Sequence, residues 1–186
     1  MTAFHESPAF LRGREGELRV AALLQSRGWF ILPSCDYSGP AGDRAPKIHG
    51  IQEGIVLPDL QIAKKGMLLL AEVKAKKEPT FTILTGTYDH GISRRLCRQY
   101  LRCQEEMGAH VWLFILEEKS QMLLFQSIDE LRKSSNVSHI YEGDVMDEGG
   151  MVFWPRDVFQ KIVINEIPGL FDVTIPLAFE LPPKAR

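Results

Sequence analysis

The sequence predicts an α/β fold: a central mixed β-sheet flanked by helices, in the order helix, strand, strand, strand, helix, strand. Three observations predict it. Residues 10–28 set Phe10, Leu11, Leu18, Ala21, Ala22 and Leu24 near a 3.6-residue period, the mark of an amphipathic helix. Residues 56–62 and 67–74 are apolar runs separated by the turn Lys64-Lys65-Gly66, the pattern of a hairpin. Residues 111–116 are almost wholly apolar, as in a strand buried on both faces in the middle of a sheet.

The elements follow in order. Gly28 is a good stop for the first helix, and residues 29–32 read as a short strand ended by Pro33. Residues 33–50 are rich in Pro, Gly, Asp and Ser; a loop of that length in a compact domain is usually functional or mobile, and this one leads into the Asp59 strand, where it could flank a site. The hairpin carries Asp59 on its first strand and Glu72 and Lys74 on its second; an irregular stretch then runs to Thr87. Asp89 is the expected N-cap of a helix over about residues 92–107, closed by Gly108. After the buried strand come a turn at residues 117–120, a strand at 122–125 and a short helix at 128–133. Residues 134–150 are polar and Gly-rich, 151–165 return to apolar character, and the remainder is Pro-interrupted with a polar tail. The 186 residues, 45% of them hydrophobic, suit one domain: a core of residues 1–133 with an extension, residues 134–186, packed on it.

Composition narrows the function. Three cysteines, Cys35, Cys97 and Cys103, match no zinc spacing and imply small thiols in a reducing compartment. Residues 1–11 lack the apolar centre of a secretory signal, and no apolar run approaches the roughly 20 residues of a membrane span. The expectation is a soluble cytoplasmic protein with no membrane partner. The net charge is only −2, yet residues 60–103 hold nine Lys and Arg against three Asp and Glu, and residues 104–186 hold seven against fourteen. The basic segment is the one carrying Glu72 and Lys74, and a local positive field there suits a polyanionic substrate. A solvated helix and turn is the plain alternative.

Asp59, Glu72 and Lys74 are the chief candidates for chemistry. Side chains two apart on a strand share a face, so Glu72 and Lys74 lie together, and the hairpin turn brings Asp59 beside them. Two carboxylates and an ammonium on an otherwise apolar hairpin are costly to bury. A divalent metal and a phosphodiester would account for them; a structural salt-bridge cluster is the bland alternative.

Pro58-Asp59 followed by Glu72-Val73-Lys74 resembles the two half-motifs of the PD-(D/E)xK nuclease superfamily, whose restriction-endonuclease-like fold is shared by Holliday-junction resolvases. Glu17, in Gly13-Arg14-Glu15-Gly16-Glu17, is similar to the acidic residue that resolvase-like members carry on their first helix, with Glu15 its competitor on the same turn. Arg27-Gly28-Trp29 looks like their helix-to-strand junction, and the resemblance covers roughly residues 10–116. One departure stands out. Recombination-type exonucleases of the superfamily carry Gln-x-x-x-Tyr after the Lys, and here the order is Tyr100-x-x-x-Gln104.

The resemblance implies a metal-dependent deoxyribonuclease, an endonuclease before an exonuclease, with Mg²⁺ or Mn²⁺ as cofactor. Asp59, Glu72, the Val73 backbone carbonyl and Glu17 would be the metal ligands, and Asp59, Glu72, Lys74 and Glu17 the catalytic set. Lys76, Arg94, Arg95, Arg98 and Gln104 are the expected nucleic-acid contacts, with Arg102 adding charge to the same helix and His90 a loop residue near phosphate. DNA is the expected partner. Cutting both strands would favour a homodimer, and a protein partner could supply targeting. Two rivals stay open: a non-cleaving nucleic-acid- or protein-binding module of the same fold, and a structural protein of a mobile element.

Overall fold

The computed structural model describes residues 7–33, 47–48, 54–82, 86–134, 150–167 and 170–172. Helix α1, Pro8–Ser26, starts where the Ser7 hydroxyl accepts the Phe10 N–H and Pro8 fills the first turn. It stops at Gly28, whose φ of 78° suits glycine. Strands β1 (Phe30–Pro33), β2 (Lys47–Ile48) and β3 (Ile55–Val56) follow, and β2 and β3 pair with each other. The run expected to be one strand from residue 56 to 62 is therefore broken. Ile55 and Leu57 pack towards the second helix, and the chain bends at Pro58-Asp59 before β4, Leu60–Lys64. Apart from Lys47 and Ile48, residues 34–50 lie outside the described residues.

Strand β4 turns through Lys65 and Gly66, both at positive φ, into β5, Met67–Lys76. This is the two-residue turn whose twist matches that of a hairpin. Next come β6 (Thr80–Thr82) and β7 (Thr87–Ser93), then α2 (Arg94–Met107), β8 (His110–Glu117), β9 (Met122–Ser127) and α3 (Ile128–Lys133). The C-terminal part adds β10 (Met151–Pro155), β11 (Gln160–Val163), β12 (Asn165–Ile167) and β13 (Leu170–Asp172).

The main sheet runs β1-β4-β5-β8-β9-β11 and is antiparallel except between β5 and β8, which pair in parallel. A parallel pair needs a crossover, and β6, β7 and α2 supply it. Helix α1 packs Val20, Leu23 and Leu24 on one face of the sheet with Ala71, Val73 and Phe114. Helices α2 and α3 cover the other face with Tyr100, Cys103 and Leu131 on Leu70, Leu113 and Ile115. Burial of β8 on both sides explains its unbroken apolar run. The order α1-β1-β4-β5-α2-β8 is the helix, strand, strand, strand, helix, strand order that the sequence predicts, with β2–β3 and β6–β7 inserted between its elements.

The stretch before α2 departs from expectation. Asp89 is not a helix cap; it is buried within β7, where it accepts the Thr87 hydroxyl at 2.9 Å. Ser93 caps α2 instead, through the Leu96 N–H. β7 is the middle strand of a second sheet, β10-β7-β6. Gly91 is extended there because its neighbour presses on it: a Cβ would lie 2.7 Å from both Phe153 Cδ1 and the Val152 carbonyl oxygen. Gly91→Ala is expected to destabilise the fold by about 1–3 kcal/mol through overpacking. Gly13→Ala, where a Cβ meets nothing within 4 Å, is expected to stabilise by about 0.5–1 kcal/mol. Urea-unfolding midpoints of the two variants, moving in opposite directions, check both.

Candidate active site

The β4–β5 register pairs Leu60 with Ala71, so the next level of the hairpin sets Asp59 opposite Glu72. The ladder ends there. The Val73 N–H donates to Asp59 Oδ2 at 2.8 Å, and this bond aims the carboxylate along the strand that carries Glu72 and Lys74. Glu72 follows Leu70 on the face covered by α2 and is almost completely buried. It is not orphaned: the Lys74 ammonium donates to its Oε1, and the Tyr100 hydroxyl donates to its carboxylate from the buried face of α2.

Glu17 approaches from α1. Gly16 lets that helix come close, since a Cβ there would sit 2.8 Å from Ala75 Cβ. Glu17 pairs with Arg14 at 3.7 Å, and its charge acts on both Asp59 and Lys74. Glu15 lies exposed on the same turn, so Glu17 is the one turned to the cluster. The electrostatics are lopsided. Burial pushes the Asp59 carboxyl well above its usual range, and Glu72 and Glu17 push it further; Lys74 and the Val73 N–H offset part of this. Burial alone would lower Lys74, but Glu72, Asp59 and Glu17 outweigh it and hold the ammonium charged, above its ordinary range.

This donor set fits a hard divalent cation in one specific sense. Among the described residues no three His, Cys, Asp or Glu side chains are gathered closely enough to hold an ion alone. Mg²⁺ needs less than that: one or two carboxylates, with waters and substrate phosphates completing its shell. Asp59 and Glu72 supply that number, and the like-charge pressure on Asp59 is what a cation would relieve.

The secondary candidates separate. Lys76 is half-buried on the same strand face, its basicity lowered by burial and by Lys74. Arg95, Arg98 and Arg102 lie on the side of α2 opposite Tyr100, and Arg95 and Arg98 are exposed; Arg94 is half-buried at the first turn. The helix stands between that basic face and the acids. Gln104, expected near phosphate or the attacking water, instead ties α2 to its neighbours: its Oε1 accepts the Val111 N–H at 2.7 Å and its Nε2 donates to Asp129 at 3.0 Å. Tyr100 is the contact that sequence reasoning missed. Its signal was a tyrosine on the apolar face of a helix, where the hydroxyl requires a partner.

His90 is not in a loop. It is buried in β7, and its Nε2 meets Glu117 Oε1 at 2.6 Å. Arg156 closes on Glu117 with two bonds, Nε to Oε1 at 2.7 Å and Nη2 to Oε2 at 2.5 Å, and Ser120 adds its hydroxyl. Burial would raise the Glu117 carboxyl, but Arg156, His90 and Ser120 bring it below its usual range. Burial lowers His90 most, Arg156 and Lys76 lower it further, and Glu117 only partly compensates, so the imidazole is neutral at pH 7. Lys76 is the register partner of Glu117, so this second cluster begins where the first leaves off.

No family model matches this chain, and no curated protein matches it. Among solved structures it is similar to Hjc, a Holliday junction resolvase from Archaeoglobus fulgidus, at 13% identity over 79% of this chain and 91% of that one, with a TM-score of 0.49. It is also similar to a nuclease from a fusselovirus, at 14% identity over 83% of this chain and 88% of that one, with a TM-score of 0.46.

Two outcomes follow from the two clusters. Asp59→Asn keeps an acceptor for the Val73 N–H and removes a repelled charge, so in metal-free buffer it is expected to raise stability by about 0.5–2 kcal/mol, read as a higher Tm. A His lowered on folding contributes stability above its unfolded value, lost as pH falls through the folded one. Wild-type stability is therefore expected to fall as the pH drops below about 6.5, and His90→Gln to flatten that decline, in urea titrations at each pH.

Proposed function

We propose that this chain is a divalent-metal-dependent nuclease that hydrolyses phosphodiester bonds, in DNA before RNA, and as an endonuclease. The observation that carries this is the convergence of Asp59, Glu72 and Lys74 at one end of the β4–β5 hairpin, with Glu17, itself paired with Arg14, acting on Asp59 and Lys74 from α1. Burial and the neighbouring acids hold the Asp59 carboxyl well above its usual range, a condition that a cation beside it would relieve, and a bound cation would in turn favour a phosphate.

Mg²⁺ or Mn²⁺ held by Asp59, Glu72 and the Val73 carbonyl, with Glu17 joining directly or through water, would supply Lewis acidity at the phosphate. The chain's own groups supply the rest. The Val73 N–H fixes Asp59, and the Tyr100 hydroxyl fixes Glu72, so the two acids hold one geometry with little freedom to lose. Lys74 Nζ is the group that orients the attacking water and offsets charge growing on the phosphate oxygens. As water adds to phosphorus the sugar oxygen leaves, and a proton passes from the water to the site and on to the leaving oxygen. Lys76, two residues further on the same face, supports the adjacent phosphate. Cutting both strands of a duplex would favour two such sites and hence two copies of the chain.

The test is a substrate panel of supercoiled, linear, branched and single-stranded DNA, plus RNA, each in Mg²⁺ or Mn²⁺. Wild type is expected to cleave, and Asp59→Ala and Lys74→Ala each to lower the rate by about 10²–10⁴-fold or more with unchanged circular dichroism. EDTA is expected to stop cleavage, and Glu17→Gln to slow it less than Asp59→Ala. Binding with no cleavage on every substrate would instead make the chain a non-cutting module.

A further inference from the structure

We propose that the exposed ring pair Phe81–Tyr88 is a stacking platform for unpaired nucleobases, so that the substrate is a nucleic acid with a single-stranded segment beside the scissile phosphodiester. This deepens, and rests on, the nuclease reading above.

Phe81 and Tyr88 are cross-strand partners in the β6–β7 hairpin. Their ring centroids lie 5.2 Å apart at 58°, so the rings support each other, yet they remain 51% and 60% exposed. Large aromatic side chains half in water need a reason, and their position offers one. Strand β6 starts four residues after Lys76, which itself follows Lys74 on one face of β5. On β7, Tyr88 and His90 share a face, and His90 is turned to Glu117, the register partner of Lys76. Lys76 acts on His90, so the β6–β7 hairpin stands beside the end of β5 that carries Lys74 and Lys76.

Two lysines and one acid lie nearby. Lys77 is exposed at the end of β5, and Lys119 is held beside it by its N–H to the Lys77 carbonyl at 3.0 Å. Lys119 also feels the Tyr88 hydroxyl, and its partner Glu78 is the neighbouring acid. Aromatic faces interleaved with lysines suit bases on the rings and phosphates on the ammoniums. A protein partner fits less well, because a stable interface needs roughly 800 Å² from each side and the rings are flanked by exposed Thr80 and Thr87. The hairpin is anchored next to the rings: β10 pairs with β7 from Asp89 to Ser93, and the Glu117–His90–Arg156 cluster ties β7 to the main sheet.

The experiment compares the full chain with Phe81→Ser/Tyr88→Ser, Phe81→Leu/Tyr88→Leu and Phe81→Trp/Tyr88→Trp double variants. Binding is read in EDTA by fluorescence anisotropy, on a splayed-arm DNA and on a fully paired duplex of the same length. The Ser and Leu pairs are expected to lose about tenfold or more in affinity for the splayed arm and little for the duplex, and the Trp pair to bind as wild type. Equal losses on both probes, or no loss on either, overturn the platform. So does a change in sedimentation of the Ser pair without a change in DNA affinity, which would mark the rings as a contact between copies. Cleavage by wild type in Mg²⁺ is scored separately. If it cuts while the Ser pair binds normally, only the platform fails; if the Ser pair loses the splayed arm while wild type cuts nothing, only the nuclease reading fails.

Discussion

The hydrogen bond from the Val73 N–H to Asp59 Oδ2 is the contact on which the candidate site depends. It forms where the β4–β5 ladder gives way, and it substitutes a carboxylate for a strand partner. Pro58 helps to set that point. It has no N–H to continue a ladder, and it keeps Leu57 extended, so the chain arrives from β3 and turns into β4 at Asp59. The acid is thereby fixed at the level of Glu72 by backbone geometry rather than by a long, mobile side chain. Every other member of the cluster is placed relative to β5: Lys74 by the strand's two-residue repeat, Tyr100 by α2 packed over Leu70 and Leu113, and Glu17 by the close approach of Gly16 to Ala75.

Two buried glutamates on adjacent strands show two solutions to the same problem. Glu117 is balanced: a bidentate Arg156, a neutral His90 and the Ser120 hydroxyl satisfy it and bring its carboxyl below the usual range. Such a cluster has no unmet demand and holds structure together. Glu72 is satisfied in hydrogen bonds by Lys74 and Tyr100, but Asp59 beside it is pushed up, first by its own burial and then by Glu72 and Glu17. A buried carboxyl perturbed in this way marks a candidate functional site.

The core elements were legible in the sequence because each has one strong local signal. The helical period of residues 10–28, the Lys65-Gly66 turn and the apolar run of β8 each specify an element without help from distant residues. The cluster was legible for the same reason: two half-motifs on a hairpin depend only on period and turn. What stayed hidden depends on tertiary partners. Asp89, His90 and Gly91 have the composition of a turn, yet they form a central strand because Phe153 and Val152 lie against the bare Gly91 backbone and Glu117 holds His90. Asp89 lost its expected capping role once Ser93, four residues on, stood at the helix start. Gln104 reads as a polar residue on a basic helix; only the fold reveals the Val111 N–H and Asp129 at its two ends.

The second sheet is where these threads meet. A parallel β5–β8 pair requires a long crossover, and this chain uses that length for a hairpin as well as a helix. A two-stranded hairpin is marginal alone. It gains a third strand from β10, and the same C-terminal passage then delivers Arg156 to Glu117 and β11 to the edge of the main sheet beside β9. Trp154 reinforces the join from β10, buried with its indole N–H on the Leu131 carbonyl at 3.0 Å. Residues 151–163 therefore brace the β6–β7 hairpin against the strand ends that carry Lys74 and Lys76. A segment with no chemistry of its own fixes the distance between the acids of one sheet and the exposed rings of the other, and any molecule that touches both is measured against that spacing.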